Sequence, residues 1–410
     1  MKDHILERFL RYVAINTQSD PDATTCPSSQ GQLELASLLT RELKEMGLEN
    51  AHTDEFGYVW ATLPSNISWD VPVMGLIAHL DTSPDMPGEN IHPLIHPNYN
   101  GEEMILNPER GIVMDTNKFP LLKQYVGQTL ITSDGTTLLG ADDKAGIAEI
   151  MTALAFLLQN QHIPHGNIKV AFTPDEEVGR GADHFDVKKF GADFAYTLDG
   201  GELGELQYEN FNAAYAKINI NGVNIHPGEA HEKMINSVLL GMEFNAMLPD
   251  NETPWHTRDY EGFFHLTNFK GTVEKTTLEF IIRDHDNKKF EKRKNQIRQA
   301  AARLNEKYGS MTVQTEIRDQ YYNMHNKILP VMQIVELAKQ AMEVLQINPL
   351  IRPIRGGTDG ARLSYMGLPC PNLFTGGHHF HGRYEFIPLE SMEKATMLIL
   401  KISELLTRYV

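Results

Sequence analysis

Five short stretches of the chain gather residue types that hold metal ions and move protons. In His79-Leu80-Asp81-Thr82 a carboxylate two residues beyond a histidine can bond the second ring nitrogen, fixing the tautomer and raising the basicity that a metal ligand needs. Gly140-Ala141-Asp142-Asp143-Lys144-Ala145-Gly146 sets two adjacent acids between glycines, and a carboxylate with two oxygens can bridge two cations. Thr173-Pro174-Asp175-Glu176-Glu177-Val178-Gly179 carries three consecutive carboxylates, which repel one another unless solvated or neutralised by a cation. Neighbouring glutamates also permit a division of labour, one ligating metal and the other moving protons. Asp199 in Leu198-Asp199-Gly200-Gly201 and the histidine-rich run Gly376-Gly377-His378-His379-Phe380-His381-Gly382-Arg383 complete the set. Histidine and carboxylate donors without cysteine suit zinc, manganese or cobalt. The donors outnumber what one tetrahedral ion uses, so the expected centre has two ions about 3.5–4 Å apart, bridged by a carboxylate.

Such a centre needs elements that bring these stretches to one edge. Tyr58–Leu63 and Val73–Ala78 read as short strands, the second apolar enough to be buried on both faces and ending at His79. Leu35, Leu38, Leu39, Leu43 and Met46 recur at helical spacing ahead of Gly47, which predicts a helix over roughly 30–46. A second helix carries Ile147, Ile150, Met151, Leu154, Leu157 and Leu158, and the strand-like Ile168–Phe172 follows it. Strand, helix, strand alternation predicts an α/β sandwich with a mostly parallel sheet, in which ligands collect at the strands' carboxyl ends. The middle changes character. Ala213–Asn221, Met234–Leu248, Thr277–Arg283, Lys288–Tyr308 and Met311–Ile317 read as strand, helix, strand, helix, strand, an α+β domain inserted at 209–321. The first domain is then discontinuous, 1–208 with 322–410, and it ends in a helix from about Pro388 to Arg408. Residues 84–128, rich in Pro, Gly and Asn, read as a long loop.

Composition narrows the partners. With 410 residues the chain is long enough for more than one core, and 37 basic against 54 acidic side chains give a formal net charge of −17. That field repels phosphate backbones and anionic lipid, which argues against nucleic acid and membrane surfaces. Two cysteines, Cys26 and Cys370, make no disulfide framework, and charges break the N-terminal stretch before an apolar signal core could form. These features predict a cytoplasmic protein.

In their order and spacing the five stretches resemble the M20 family of di-zinc peptidases. Asn210-Phe211-Asn212-Ala213-Ala214, Asn224-Ile225-His226-Pro227-Gly228, Arg355-Gly356-Gly357-Thr358-Asp359-Gly360 and Pro371-Asn372-Leu373-Phe374-Thr375-Gly376-Gly377 extend the resemblance along the whole chain, toward members that act on tripeptides. The resemblance implies a zinc-peptidase-like α/β/α sandwich with an inserted lid or dimerisation domain. It implies two Zn2+ per chain, with Mn2+ or Co2+ as substitutes: one held by His79 and Asp199, the other by Glu177 and His381, with Asp142 bridging. Asp81 would orient His79, and Glu176 would be the general base for a water shared by the metals. Of His378, His379 and His381, the frame Gly382-Arg383-Tyr384-Glu385 selects His381 as ligand, with Glu385 as a partner to the site. Asp at position 199, where other members carry Glu, accompanies aminopeptidase and dipeptidase activity. His226 would reach the developing oxyanion, from the same or a partner subunit of a homodimer. Arg283 and Arg355 are candidates for gripping a peptide's C-terminal carboxylate, which would measure peptide length. The implied reaction is removal of the N-terminal residue of a tripeptide; the alternatives are an N-acyl amino-acid deacylase on the same scaffold and a metal-dependent binding protein without catalysis.

Overall fold

The computed structural model describes residues 1–408, so only the last two positions of the expected 322–410 segment lie outside the described residues. Two compact units emerge: Met1–Tyr208 with Asn326–Arg352 and the segment from Thr358 onward, and Glu209–His325 with Pro353–Gly357.

The first unit is built on an eight-stranded sheet. Its order is His52–Thr53, Val59–Leu63, Ile168–Thr173, Met74–His79, Phe194–Gly200, Asn372–Phe374, Glu205–Gln207 and Leu350–Ile351. The four central strands, Ile168–Thr173 to Asn372–Phe374, run parallel, while Val59–Leu63 and Glu205–Gln207 join them antiparallel. Every residue of Met74–His79 is buried, as expected for a strand covered on both faces. One covering helix is Ala141–Gln159, which buries Ile147, Ile150, Met151, Ala153, Leu154 and Leu157 completely. Each Ile or Leu buried this way contributes about 1.5–3 kcal/mol. The helix packs against Lys2–Val13 and Leu389–Leu406 as well as the sheet, so it is enclosed on all sides and even Lys144 and Glu149 are buried. Elsewhere on the sheet Trp60, Ile77, Ala171 and Ala195 pack with Phe185, Phe190, Leu363 and Leu368. The unit is an α/β sandwich.

Residues 84–128 are more ordered than a loop. They contain the strands Pro93–His96, Met104–Asn107 and Ile112–Met114, and a small core in which Tyr99, Met104, Leu106, Met114, Leu122 and Tyr125 pack with Leu130 and Phe386. Strands of three or four residues are too short to display a period, and the core is completed by Leu130, Tyr384 and Phe386 from outside the segment.

The second unit is a four-stranded antiparallel sheet, ordered Phe263–Gly271, Lys275–Asp284, Asn212–Asn221, Val313–Tyr321. Helices Ser237–Ala246 and Asn287–Tyr308 lie against it over a core of Ile218, Ile220, Phe244, Leu278, Phe280, Phe290, Ile297 and Leu304. Phe263–Gly271 is a strand the periodicity does not reveal. It is an edge with only Phe264 buried and a register shift at Leu266/Asn268, so no apolar alternation marks it.

Candidate metal centre

Two strands and a helix of the first unit meet at one place. His79 closes the buried strand Met74–His79 and is 2% exposed. Its Nε2 lies 2.9 Å from Asp142 Oδ1 and 3.6 Å from Asp199 Oδ1. Asp142 opens the helix Ala141–Gln159, and Asp199 is the penultimate residue of the adjacent parallel strand Phe194–Gly200. The other oxygen of Asp142, Oδ2, lies 3.2 Å from His381 Nε2, and the same nitrogen is 3.0 Å from Glu177 Oε2. Asp142 therefore faces His79 with one oxygen and His381 with the other, the disposition a bridging carboxylate requires.

Asp81 is fully buried and acts in two ways. Its main-chain carbonyl lies 3.0 Å from His79 Nδ1, with its carboxylate 3.4 Å away. The carboxylate also accepts the main-chain N–H groups of Glu176 at 2.9 Å and Glu177 at 3.1 Å, so the turn bearing both glutamates hangs from Asp81. The third acid of that run turns elsewhere. Asp175, in a left-handed conformation with φ of 58°, accepts from Ser28 N–H and Gln32 Nε2, at 2.9 and 2.8 Å. Repulsion within Asp175-Glu176-Glu177 is relieved by this division, and two of the three reach the site.

Burial raises the carboxyl of Glu177 to about 7, assisted by Asp142 and opposed by His381. Burial likewise lifts Glu176 well above the carboxylate range, with the Asp199 charge adding to it. Hydrogen bonding to the carboxylates of Asp142 and Glu177 pushes the His381 imidazole up to about 11 against its own burial. His79 is also raised: burial works against its cation, and Asp142, Asp199 and Asp81 together outweigh it. Without a cation the cluster thus holds protons where positive charge is needed, and Glu177 Oε1 is buried with no hydrogen-bond partner among the described residues. Donor atoms of His79, Asp142 and Glu177 lie within 4.8 Å of one another, as do those of His79, Asp143 and Asp199. An all nitrogen and oxygen donor set with an orphaned carboxylate oxygen fits divalent metal.

Three residues fasten the elements around the ligands; the sequence reading named one of them, Glu385, as a partner to the site, and assigned no role to Asp143 or Lys144. Asp143 Oδ2 accepts the His79 main-chain N–H at 3.0 Å, which fastens the helix start to the strand end. Glu385, fully buried and raised to about 7 by that burial, accepts from the N–H groups of Leu139, Gly140 and Asp142 and so cradles the turn before the bridging residue. Lys144 donates from its buried Nζ to the Ile15 carbonyl at 2.7 Å. The adjacency of Asp142, Asp143 and Lys144 was the available signal, but charge alone does not say which side chain points inward. His378 and His379 stay off the ligand set. Tyr125 Oη lies 2.6 Å from His378 Nε2 in a hydrogen bond, the His378 ring stacks on Phe386, and His379 packs against Phe119.

The remaining candidates belong to the second unit. His226 is exposed on a turn, and its Nδ1 accepts the Gly228 N–H at 3.2 Å, which leaves the hydrogen on Nε2. Arg283 lies over the Tyr321 ring and donates to the Ile282 carbonyl and to Gln320 Oε1. Arg355 sits between the Phe211 and Phe263 rings and commits both terminal nitrogens to Thr257 and to the carbonyls of Asp259 and Glu261.

Residues 134–404 match Peptidase family M20/M25/M40. The chain belongs to the M20 family. It is 60% identical over 401 residues to Peptidase T of Halothermothrix orenii, covering 98% of each chain, and 58% identical over 407 residues to Peptidase T of Alkaliphilus oremlandii, covering 99% of this chain and 100% of that one. Among solved structures it resembles the aminopeptidase PepT from Bacillus cereus, with a TM-score of 0.78 at 24% identity over 99% of both chains. It also resembles a dinuclear metal binding M20 peptidase from Bacillus subtilis, with a TM-score of 0.68 at 13% identity over 100% of this chain and 99% of that one. These two likenesses establish the M20 fold. The protein is a metal-dependent peptidase of that family.

Proposed function

We propose that this chain is an aminopeptidase that removes the N-terminal residue from tripeptides with two zinc ions bound per chain. Its carrying observation is the Asp142 carboxylate set between His79 and His381, within a chain 60% identical along its length to a protein named Peptidase T. His79 and Asp199 would hold one ion and Glu177 and His381 the other, with Asp142 shared. Bound there, the ions supply Lewis acidity that lowers the pKa of water and polarises a peptide carbonyl.

The chain's own groups do the rest. Glu176, held at its N–H by Asp81 and raised by burial, accepts a proton from the attacking water and returns it to the departing amine. His226 presents Nε2–H, a donor suited to the oxyanion of the tetrahedral state. Of the two arginines we assign the carboxylate grip to Arg283, because both terminal nitrogens of Arg355 are already bound to the 257–261 segment. The second unit exposes the edge strand Phe263–Gly271 and, on the helix Ser237–Ala246, Leu239 and Met242, 60% and 57% exposed, a surface suited to a homodimer. No helix among the described residues is long and apolar enough to cross a membrane, and with free Cys26 and Cys370 we place the protein in the cytoplasm.

The deciding experiment measures metal per chain together with hydrolysis of matched di-, tri- and tetrapeptides, free and N-blocked. Two zinc ions and a preference for free tripeptides are expected. Cleavage of N-acylated amino acids with free tripeptides left intact would make the protein a deacylase. In verified heterodimers of His226→Ala and Glu176→Ala chains, recovered activity supports a histidine acting across the dimer, and none places it within one chain.

A further inference from the structure

The motif Arg355-Gly356-Gly357-Thr358-Asp359-Gly360 contains a buried acid that the reaction as described leaves unused. Asp359 is 4% exposed, lies at the start of the short helix Asp359–Tyr365, and is not among the clustered metal-ligating groups. Its main-chain N–H donates to Glu176 Oε1 at 3.2 Å. Its carboxylate accepts from Thr173 Oγ1 at 2.8 Å. Thr173 is the last residue of its strand, in register beside His79, and its carbonyl accepts the Leu80 N–H at 2.7 Å. Since the Asp81 carboxylate accepts the Glu176 N–H, the contacts close a ring that runs from Thr173 to Leu80, Asp81, Glu176, Asp359 and back to Thr173.

The surroundings keep Asp359 in place. A Cβ at Gly181 would come within 2.3 Å of both its carboxylate oxygens, so the glycine backbone lies directly on the acid. One turn on, Arg362 donates to the Gly179 carbonyl at 2.8 Å and pairs with Asp183, fastening the helix to the loop that follows Glu176.

We propose that Asp359 is the positioning residue for the general base: its side chain, anchored on Thr173, sets its own N–H against Glu176 Oε1, so that Oε1 is fixed and Oε2 is the oxygen that accepts the proton from water. A carboxylate with one oxygen held by an amide has a single direction in which to work, and proton transfer depends on that direction.

The inference rests on Glu176 as the base, and the test separates the two. In the metal-loaded enzyme, Asp359→Ala should lower kcat by about tenfold or more while leaving KM and metal content near wild type. Asp359→Asn keeps an oxygen for the Thr173 hydroxyl and should restore most of kcat. Thr173→Val, close in shape to the native side chain, should show the same change in smaller degree and serves if Asp359→Ala does not fold. In a Glu176→Ala background, Asp359→Ala should cost nothing further. A folded Asp359→Ala with normal kcat overturns the proposal, as does an equal loss in the Glu176→Ala background or an Asp359→Asn variant as impaired as Asp359→Ala. If Glu176→Ala itself turns over normally, the base assignment fails, and that result appears before any Asp359 variant is measured.

Discussion

Residue types fixed the chemistry of this chain, but the work of each side chain is set by which atoms it touches. Asp142 and Asp175 are both acids beside a turn, and they diverge because one lies between two imidazoles and the other between Ser28 and Gln32. The three late histidines make the same point. His381 reaches Asp142 and Glu177, while His378 is turned into the small core of the 84–128 segment, where it hydrogen-bonds with the Tyr125 hydroxyl. Spacing alone left the three equivalent, because their separation depends on left-handed backbone at His379 and His381, at φ of 56° and 61°, which no composition signal announces. Burial lowers His378 from 6.5 to about 3, with the neighbouring His379 adding a little. A base whose folded pKa lies below its unfolded value contributes stability that is whole above pH about 6.5 and is lost as pH falls toward 3. His378→Gln retains an acceptor for Tyr125 and removes this titration. Urea midpoints recorded from pH 7 to 4 in one metal buffer should therefore fall more steeply for the wild type than for the variant. Parallel curves would mean that the imidazole is not buried in its neutral form.

At the scale of elements, the site was legible because strands with continuous apolar runs must be covered on both faces, and a parallel sheet so covered has one edge free for ligands. Met74–His79 and Ile168–Thr173 deliver His79 and the Glu176 turn to that edge, as their sequences predict. Phe263–Gly271 and the short strands of 84–128 escaped notice for the opposite reason. Their residues are mostly exposed or packed on distant partners, so the pattern that betrays a strand is missing. How closely the helix Ala141–Gln159 approaches the sheet was equally invisible. Gly146 lies against the Phe194–Gly200 strand, where a Cβ would come 2.2 Å from the Leu198 carbonyl oxygen and 2.5 Å from Asp143 Oδ1. Inside a helix, alanine in place of glycine is ordinarily favourable by about 1 kcal/mol. Here the neighbours are main chain and a buried carboxylate, neither free to retreat, so overpacking of about 1–3 kcal/mol outweighs the gain. Gly146→Ala should lower the melting temperature and, by moving Asp142 away from Asp199, weaken metal binding. A variant with wild-type melting and full metal content would show that the helix can shift without disturbing the ligands.

For the whole molecule, the net charge of −17 describes a surface, whereas function depends on a few buried carboxylates whose charge is balanced locally. The second unit contains none of the proposed ligands and has its own core, so metal should stabilise the two units unequally. An ion that binds only the folded centre adds about 2.7 kcal/mol when present at 100 times its dissociation constant. Removing it leaves Glu177 and Asp199 mostly buried beside Asp142, groups that burial, with the Asp142 charge adding to it, lifts above their ordinary range. Chelation should thus open the strand ends around His79, the turn at Glu176 and Glu177, and the start of the helix Ala141–Gln159. The strands Asn212–Asn221 and Lys275–Asp284 should keep their protection. Hydrogen exchange read by mass spectrometry on metal-loaded and metal-stripped protein distinguishes the outcomes, because it reports local opening element by element. Faster exchange confined to the first unit, reversed by adding zinc back, is the expected result. Equal loss of protection in both units would mean that the second depends on the metal for its own stability, and no change in either would remove the metal from the cluster described around Asp142.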